Sequence, residues 1–242
     1  MEVHHPHHPS HKKKWSEYLL EFFMLFVAVT LGFFAENIRE HFAEEQKAND
    51  LIETVAKDLK SDLDQLNMLK AFALEKSKIC DSLKMVLNSN PNQVDQKDYY
   101  RNIMNFAPYY VFNPNDKSIL DAESKGYFFR EENKELASLI KSYNFWMKDY
   151  QQGDRLMAEQ AKFFINDLLP QIADPELIYK IWRYPSPPLE SKIGIMPIKP
   201  EAAKRTIIFL ATTKGVMDGF ASDIDTMSNY ATKAIHLIEK NK

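Results

Sequence analysis

The sequence predicts an all-α protein: an N-terminal transmembrane helix that continues into an elongated antiparallel bundle of three long helices, with short ones packed across it. Three observations carry that expectation. One apolar run stands near the N-terminus, Phe22 to Ala35, with Lys12, Lys13 and Lys14 before it and acidic residues after it. Three later stretches repeat apolar residues at a spacing of seven, the pattern of helices that bury one narrow face. Prolines are clustered, with none between Pro9 and Pro91 and none after Pro200, which leaves long stretches free of the residue that breaks helices.

The first element is a tail. Residues 1–14 form a histidine- and lysine-rich segment in which His4, His5, His7, His8 and His11 lie among prolines. With no apolar face to bury, such a segment is expected to be disordered and cytoplasmic. Neutral imidazoles make these five residues weak candidates for a metal, but a working site needs fixed geometry, and no metal or other cofactor is assigned.

The second element, 15–36, is the expected transmembrane helix. Trp15 and Tyr18 follow the lysines in an interfacial pattern, and only Glu21 breaks the run from Tyr18 to Ala35. At about 1.5 Å per residue this stretch reaches about 27 Å, just short of the roughly 30 Å hydrocarbon core. The lysine cluster outweighs Arg39 and Lys47 on the far side, so the tail is expected in the cytoplasm. Residues 37–242 are then an extracytoplasmic helical domain, in the periplasm of a bacterium with two membranes. Glu17, Glu21, Leu25, Ala28, Gly32 and Glu36 share one face of the span. Ala28 and Gly32 make a small-xxx-small pair that lets helices approach closely, so this face is expected to pack against another membrane helix.

The remaining elements follow in order. Ile52, Leu59, Leu66, Ala73, Cys80 and Leu87 line one helical face, beside Val55, Leu69 and Leu83, with Asp62 and Lys76 as interruptions. Cys80, the single cysteine, lies in that line and reads as a buried small hydrophobe. NSNPN, from Asn88, ends the helix. A short helix over Asp95–Phe106 leads to an aromatic loop, Ala107 to Asp116. Asp116 is expected to cap a helix over Lys117–Lys125, which Gly126 terminates in a left-handed conformation. A second long helix starts near Glu131 and carries Leu136, Tyr143, Tyr150, Met157 and Phe164, with Gly153 as a weak point and Pro170 as its end. A short helix over Pro175–Trp182 precedes the proline-rich connector from Arg183 to Pro200. The last long helix opens at Pro200 and carries Ala203, Leu210, Met217, Ile224, Ala231 and Ile238.

Two segments carry a resemblance. One begins YLLEFF and ends AENIRE. The other runs from Phe112 to Tyr143 and contains Pro114, Asp116, Gly126, Asn133, Glu135, Leu136 and Tyr143. Together they resemble an uncharacterised family of bacterial single-span membrane proteins with a helical domain of unknown function. The resemblance implies a membrane-tethered helical domain and no particular activity.

The chemistry-bearing motifs sought are missing from the sequence. It holds no phosphate-cradling glycine loop, no HExxH and no GxSxG, and its formal net charge of -3 offers nothing to a nucleic acid. An enzyme is not expected. The aromatic residues Tyr99, Tyr100, Tyr109, Tyr110, Phe112, Tyr127 and Phe128 are either a recognition surface or a cap closing one end of the bundle. The expected function is that of a membrane-anchored interaction protein, with lipid and a protein partner, either a second copy or a membrane complex. A sensory module for a small ligand is the alternative, as is an accessory subunit of a membrane complex.

Overall fold

The structure is a computed structural model that describes residues 14–183 and 192–240. Among these, regular structure is helical, and the only strand-like pairing is an isolated bridge between Asp95 and Ile193. The all-α expectation holds. The chain divides into two units, 1–50 and 51–242.

Helix α1 runs from Trp15 to Leu87 without interruption. Within the first unit it is the one described helix long and apolar enough to cross a membrane, with a window of mean hydropathy 2.1 of which none is buried. A core helix of a water-soluble protein would hide one side of such a run. Here Phe22, Phe23, Met24, Leu25 and Phe26 all stand exposed, around the full circumference.

The second unit is built on α1 from Leu51 onward, α4 (Lys134–Phe163) and α7 (Pro200–Lys240). The period-seven residues do what their spacing requires: Leu59, Leu66, Ala73 and Cys80 of α1, Tyr143, Tyr150 and Met157 of α4, and Leu210, Met217, Ile224 and Ala231 of α7 are all buried. At the start of α7 the buried positions are Ala202 and Thr206, one residue earlier than the stripe through Ala203 predicts. Pro200 opens this helix as expected.

The directions of the three helices differ from a simple up-down-up bundle. Lys60 pairs with Glu239 at 2.6 Å and Asp81 with Lys214 at 2.7 Å, so α7 runs antiparallel to α1. In contrast, Asp62 meets Tyr143, and further along Ala73 shares a cluster with Met157. Both numbers rise together, so α1 and α4 run parallel. A parallel pair needs a return connection, and residues 88–133 supply it. Helix α2 (Gln96–Phe106) packs against the far end of α1, and the segment 107–116 then runs back along the bundle, from Lys76 to Asp62. Helix α3 (Lys117–Ser124) and two short 3-10 turns complete the return.

Local chemistry sets the boundaries. Asp95 caps α2 by accepting a bond from the Asp98 amide at 3.1 Å. Gly126 takes a positive φ of 73°, as its place after α3 predicts. Asp116 departs from expectation: its side chain makes no capping bond, and its backbone carbonyl accepts from Leu120 instead. After α4 comes one π-helical turn, Phe164–Leu168, and α5 (Leu169–Ile172). Pro170 therefore lies just after the π turn, and the helical path continues past it to Ile172. Helix α6 (Pro175–Arg183) follows. The helix continues through Gly153, where a Cβ would lie 2.5 Å from the Phe220 ring of α7. Glycine allows that close approach.

Candidate functional site

The segment 107–116 has no regular structure, yet Ala107 and Phe112 are buried. Backbone groups in such a segment cannot satisfy one another and must find partners on the helices beside them. Three charged side chains provide them. Lys76 of α1 donates to the Pro108 carbonyl at 2.9 Å. Asp154 of α4 accepts from the Phe112 amide at 3.1 Å. Asp62 of α1 accepts from both the backbone and side-chain amides of Asn115, each at 2.9 Å, and from the Tyr143 hydroxyl at 2.7 Å. The two residues that interrupt the α1 stripe are therefore the ones that fasten the return segment.

Burial marks each of these groups. It pushes the Asp154 carboxyl up to about 6, against the Phe112 amide that favours its charged form. Asp62 is also raised by burial, with the bonds from Tyr143 and Asn115 opposing. Lys76 is brought down to about 8 by burial, and its ammonium lies 5.4 Å from the centre of the Phe72 ring and 5.0 Å from that of Phe106. Those aromatic faces replace part of the hydration that the cation loses. Cys80 is buried as its position predicts, and burial pushes its thiol up to about 11, so it is no nucleophile.

The aromatic residues singled out in the sequence separate into two groups. Tyr99, Tyr100, Phe112 and Phe128 are core. Tyr99 donates to the Ile172 carbonyl at 2.7 Å, and the Tyr100 hydroxyl accepts from the Asp174 amide at 2.7 Å, so both hold the end of α5 against α2. They fall in two separate core clusters, Phe112 and Phe128 in one and Tyr99 and Tyr100 in the other, and so offer no surface. Tyr127 is half-buried beside the Arg130 guanidinium. Tyr110 is exposed with its ring edge on Phe72, and Tyr109 is partly exposed.

Tyr109 also lines a concavity. A groove of about 470 Å³ is lined by Met104 of α2, Ala107, Pro108 and Tyr109 of the return segment, Ala158, Ala161 and Lys162 of α4, Ile165 of the π turn and Trp182 of α6. Its walls are apolar apart from Lys162, whose ammonium is engaged by Glu159 at 2.7 Å. Ala158 and Ala161 are short and leave room, while Tyr109 and Trp182 stand partly exposed at 42% and 59%. Of the predicted recognition surface only Tyr109 contributes. Sequence reasoning missed the rest because the groove's residues come from three separate stretches of chain, 104–109, 158–165 and Trp182. The one available signal was the pair of alanines three apart on α4, beside the buried stripe.

On the span, Glu17, Glu21, Leu25, Ala28, Gly32 and Glu36 are all exposed. A Cβ at Gly32 would meet open space, and Glu36 is paired with Arg39. The five tail histidines lie outside the described residues. His41 pairs with Glu45 at 3.6 Å on an exposed helix surface. Among the described residues no group of three or more His, Cys, Asp or Glu side chains converges on a metal-sized point.

Compared with known proteins, the chain matches no protein-family model, no curated protein and no solved structure.

Proposed function

We propose that this chain is a single-pass membrane protein of the bacterial inner membrane whose helical domain binds a protein partner. In this reading the tail 1–14 is cytoplasmic, 15–36 is the anchor and 37–242 forms an elongated periplasmic bundle, in keeping with the lysine cluster and with the resemblance described above. The observation that carries it is the apolar groove. Its walls supply contact area and two partly exposed aromatic side chains, the residue types that dominate binding energy at protein interfaces. They bring no nucleophile together with a base, so the reading is of binding and not catalysis. The open face of Ala28 and Gly32 supports association within the membrane, with a second copy or a larger complex.

The test is photocrosslinking in native membranes. A crosslinking residue at Tyr109 or at Trp182 is expected to capture one and the same protein, and one at exposed Phe129 is not. Capture at Phe129 as efficient as at the groove sinks the reading. Gly32→Ile is expected to weaken cross-linking through the span, and an unchanged pattern removes that contact from the scheme.

A second reading is favoured by the groove's size. Small-molecule sites commonly measure about 300–1,000 Å³, so the same walls suit an apolar metabolite. Native mass spectrometry of detergent-extracted protein separates the two: a retained small mass supports a ligand-sensing module, a protein subunit the interaction module.

A further inference from the structure

Each of α1, α4 and α7 contributes one polar side chain to the lining of a single small cavity. These are Lys76, Gln160 and Thr213, and the cavity, of about 10 Å³, is walled by Phe106, Phe164 and Phe209. Thr213 is 1% exposed and Lys76 2%. Thr213 Oγ1 and Gln160 Oε1 are buried with no hydrogen-bond partner among the described residues. A buried hydroxyl or amide oxygen left unpaired costs on the order of 1–3 kcal/mol, so two in one place need an explanation. The Lys76 ammonium has three N–H groups and uses one on the Pro108 carbonyl.

We propose that this cavity is a binding site for a single water molecule shared by Lys76, Gln160 and Thr213. The water accepts from the lysine ammonium, donates to Gln160 Oε1 and exchanges its remaining bond with the threonine hydroxyl. That satisfies both unpaired oxygens and a second N–H of the ammonium at once. The volume agrees: a cavity needs about 10–15 Å³ of this kind to hold one water, with two to four polar partners around it. The neighbouring layer consists of Ala73, Met157 and Met217, small and pliable residues that specify position poorly. A fully bonded polar layer beside it fixes which turns of the three helices face one another, the role best attested for polar groups in helical cores.

The experiment uses the full chain in detergent. A crystal structure that shows ordered solvent is expected to place one peak within about 2.7–3.2 Å of Lys76 Nζ and of the Gln160 and Thr213 oxygens. Thr213→Val, which keeps the shape and deletes the hydroxyl, is expected to lower Tm by about 2–4 °C. Adding Gln160→Leu is expected to cost less than the sum of the two single changes, because both lose the same water. No solvent peak, a Tm raised by Thr213→Val, additive losses, or a Tm that follows chloride concentration at constant ionic strength would each overturn the assignment. Should either variant fail to fold, the wild-type density decides.

Discussion

Tyr143 donates its hydroxyl to the Asp62 carboxylate at 2.7 Å, a bond made inside the core between two helices that run in the same direction. The carboxylate's other oxygen receives both amides of Asn115, so one aspartate holds α4 and the return segment to α1 together. Tyr143→Phe removes the hydroxyl without altering the packing of the ring. It is expected to destabilise the domain by about 1.5–3 kcal/mol, the range for a hydrogen bond to a charged group. Asp62 should then titrate at a still higher pH, since a bond favouring its charged form is gone. Urea unfolding followed by circular dichroism checks the first, and NMR titration the second.

Gly153→Ala sets two effects against each other. Alanine favours a helix interior by about 1 kcal/mol over glycine. Yet its Cβ would stand 2.5 Å from Phe220 Cε1, and that ring already packs on Tyr150 at a centroid distance of 4.8 Å. Overpacking of this kind costs about 1–3 kcal/mol, so the net change is expected to be destabilising. Phe220→Leu in the same chain should recover part of the loss. A melting series of the two single variants and the double variant measures it.

The buried charges give stability a definite dependence on pH. Asp154 has its folded value raised to about 6, so the folded state binds the proton more tightly than the unfolded chain does. Its contribution is fully present below the unfolded carboxyl range and is lost as pH rises through about 6. Melting temperature is therefore expected to rise as pH falls from 7.5 towards 5. Asp154→Asn, which still accepts from the Phe112 amide, should flatten that rise, with Asp62 supplying what remains. Lys76 acts at the other end. Its folded value is lowered to about 8, so its contribution is lost as pH falls through 8, and stability should increase between pH 8 and 10. Lys76→Met should abolish that increase.

Cys80 makes unfolding directly readable. It is the single cysteine in the chain, 1% exposed, with its thiol held in the protonated form by burial. A maleimide reagent at a concentration low enough for reclosing to outpace labelling is expected to label it in proportion to the population of the opened bundle. Labelling should accelerate in Tyr143→Phe and Gly153→Ala by the factor that their lost stability predicts, about tenfold for each 1.4 kcal/mol. Fast labelling of the native protein would contradict the core position of Cys80.

Much of this protein was determined by the sequence on its own. The apolar run of the first helix, the buried faces through Leu66, Tyr150 and Ile224, the left-handed turn at Gly126 and the opening of α7 at Pro200 are local matters. They depend on a period near seven, or on one residue's allowed backbone angles, and both can be read without knowing what lies alongside. Tertiary structure alone decided the rest. Asp62 and Lys76 look like flaws in a stripe until the segment 107–116 lies against them and needs partners for its backbone. That Gly153 makes room for the Phe220 ring shows only once α4 and α7 lie side by side. Whether α4 runs with α1 or against it depends on the path of the return segment, and that path is held by bonds between residues far apart in the chain. The groove at Tyr109 and Trp182 exists only because tertiary structure brings three distant stretches of chain to one place.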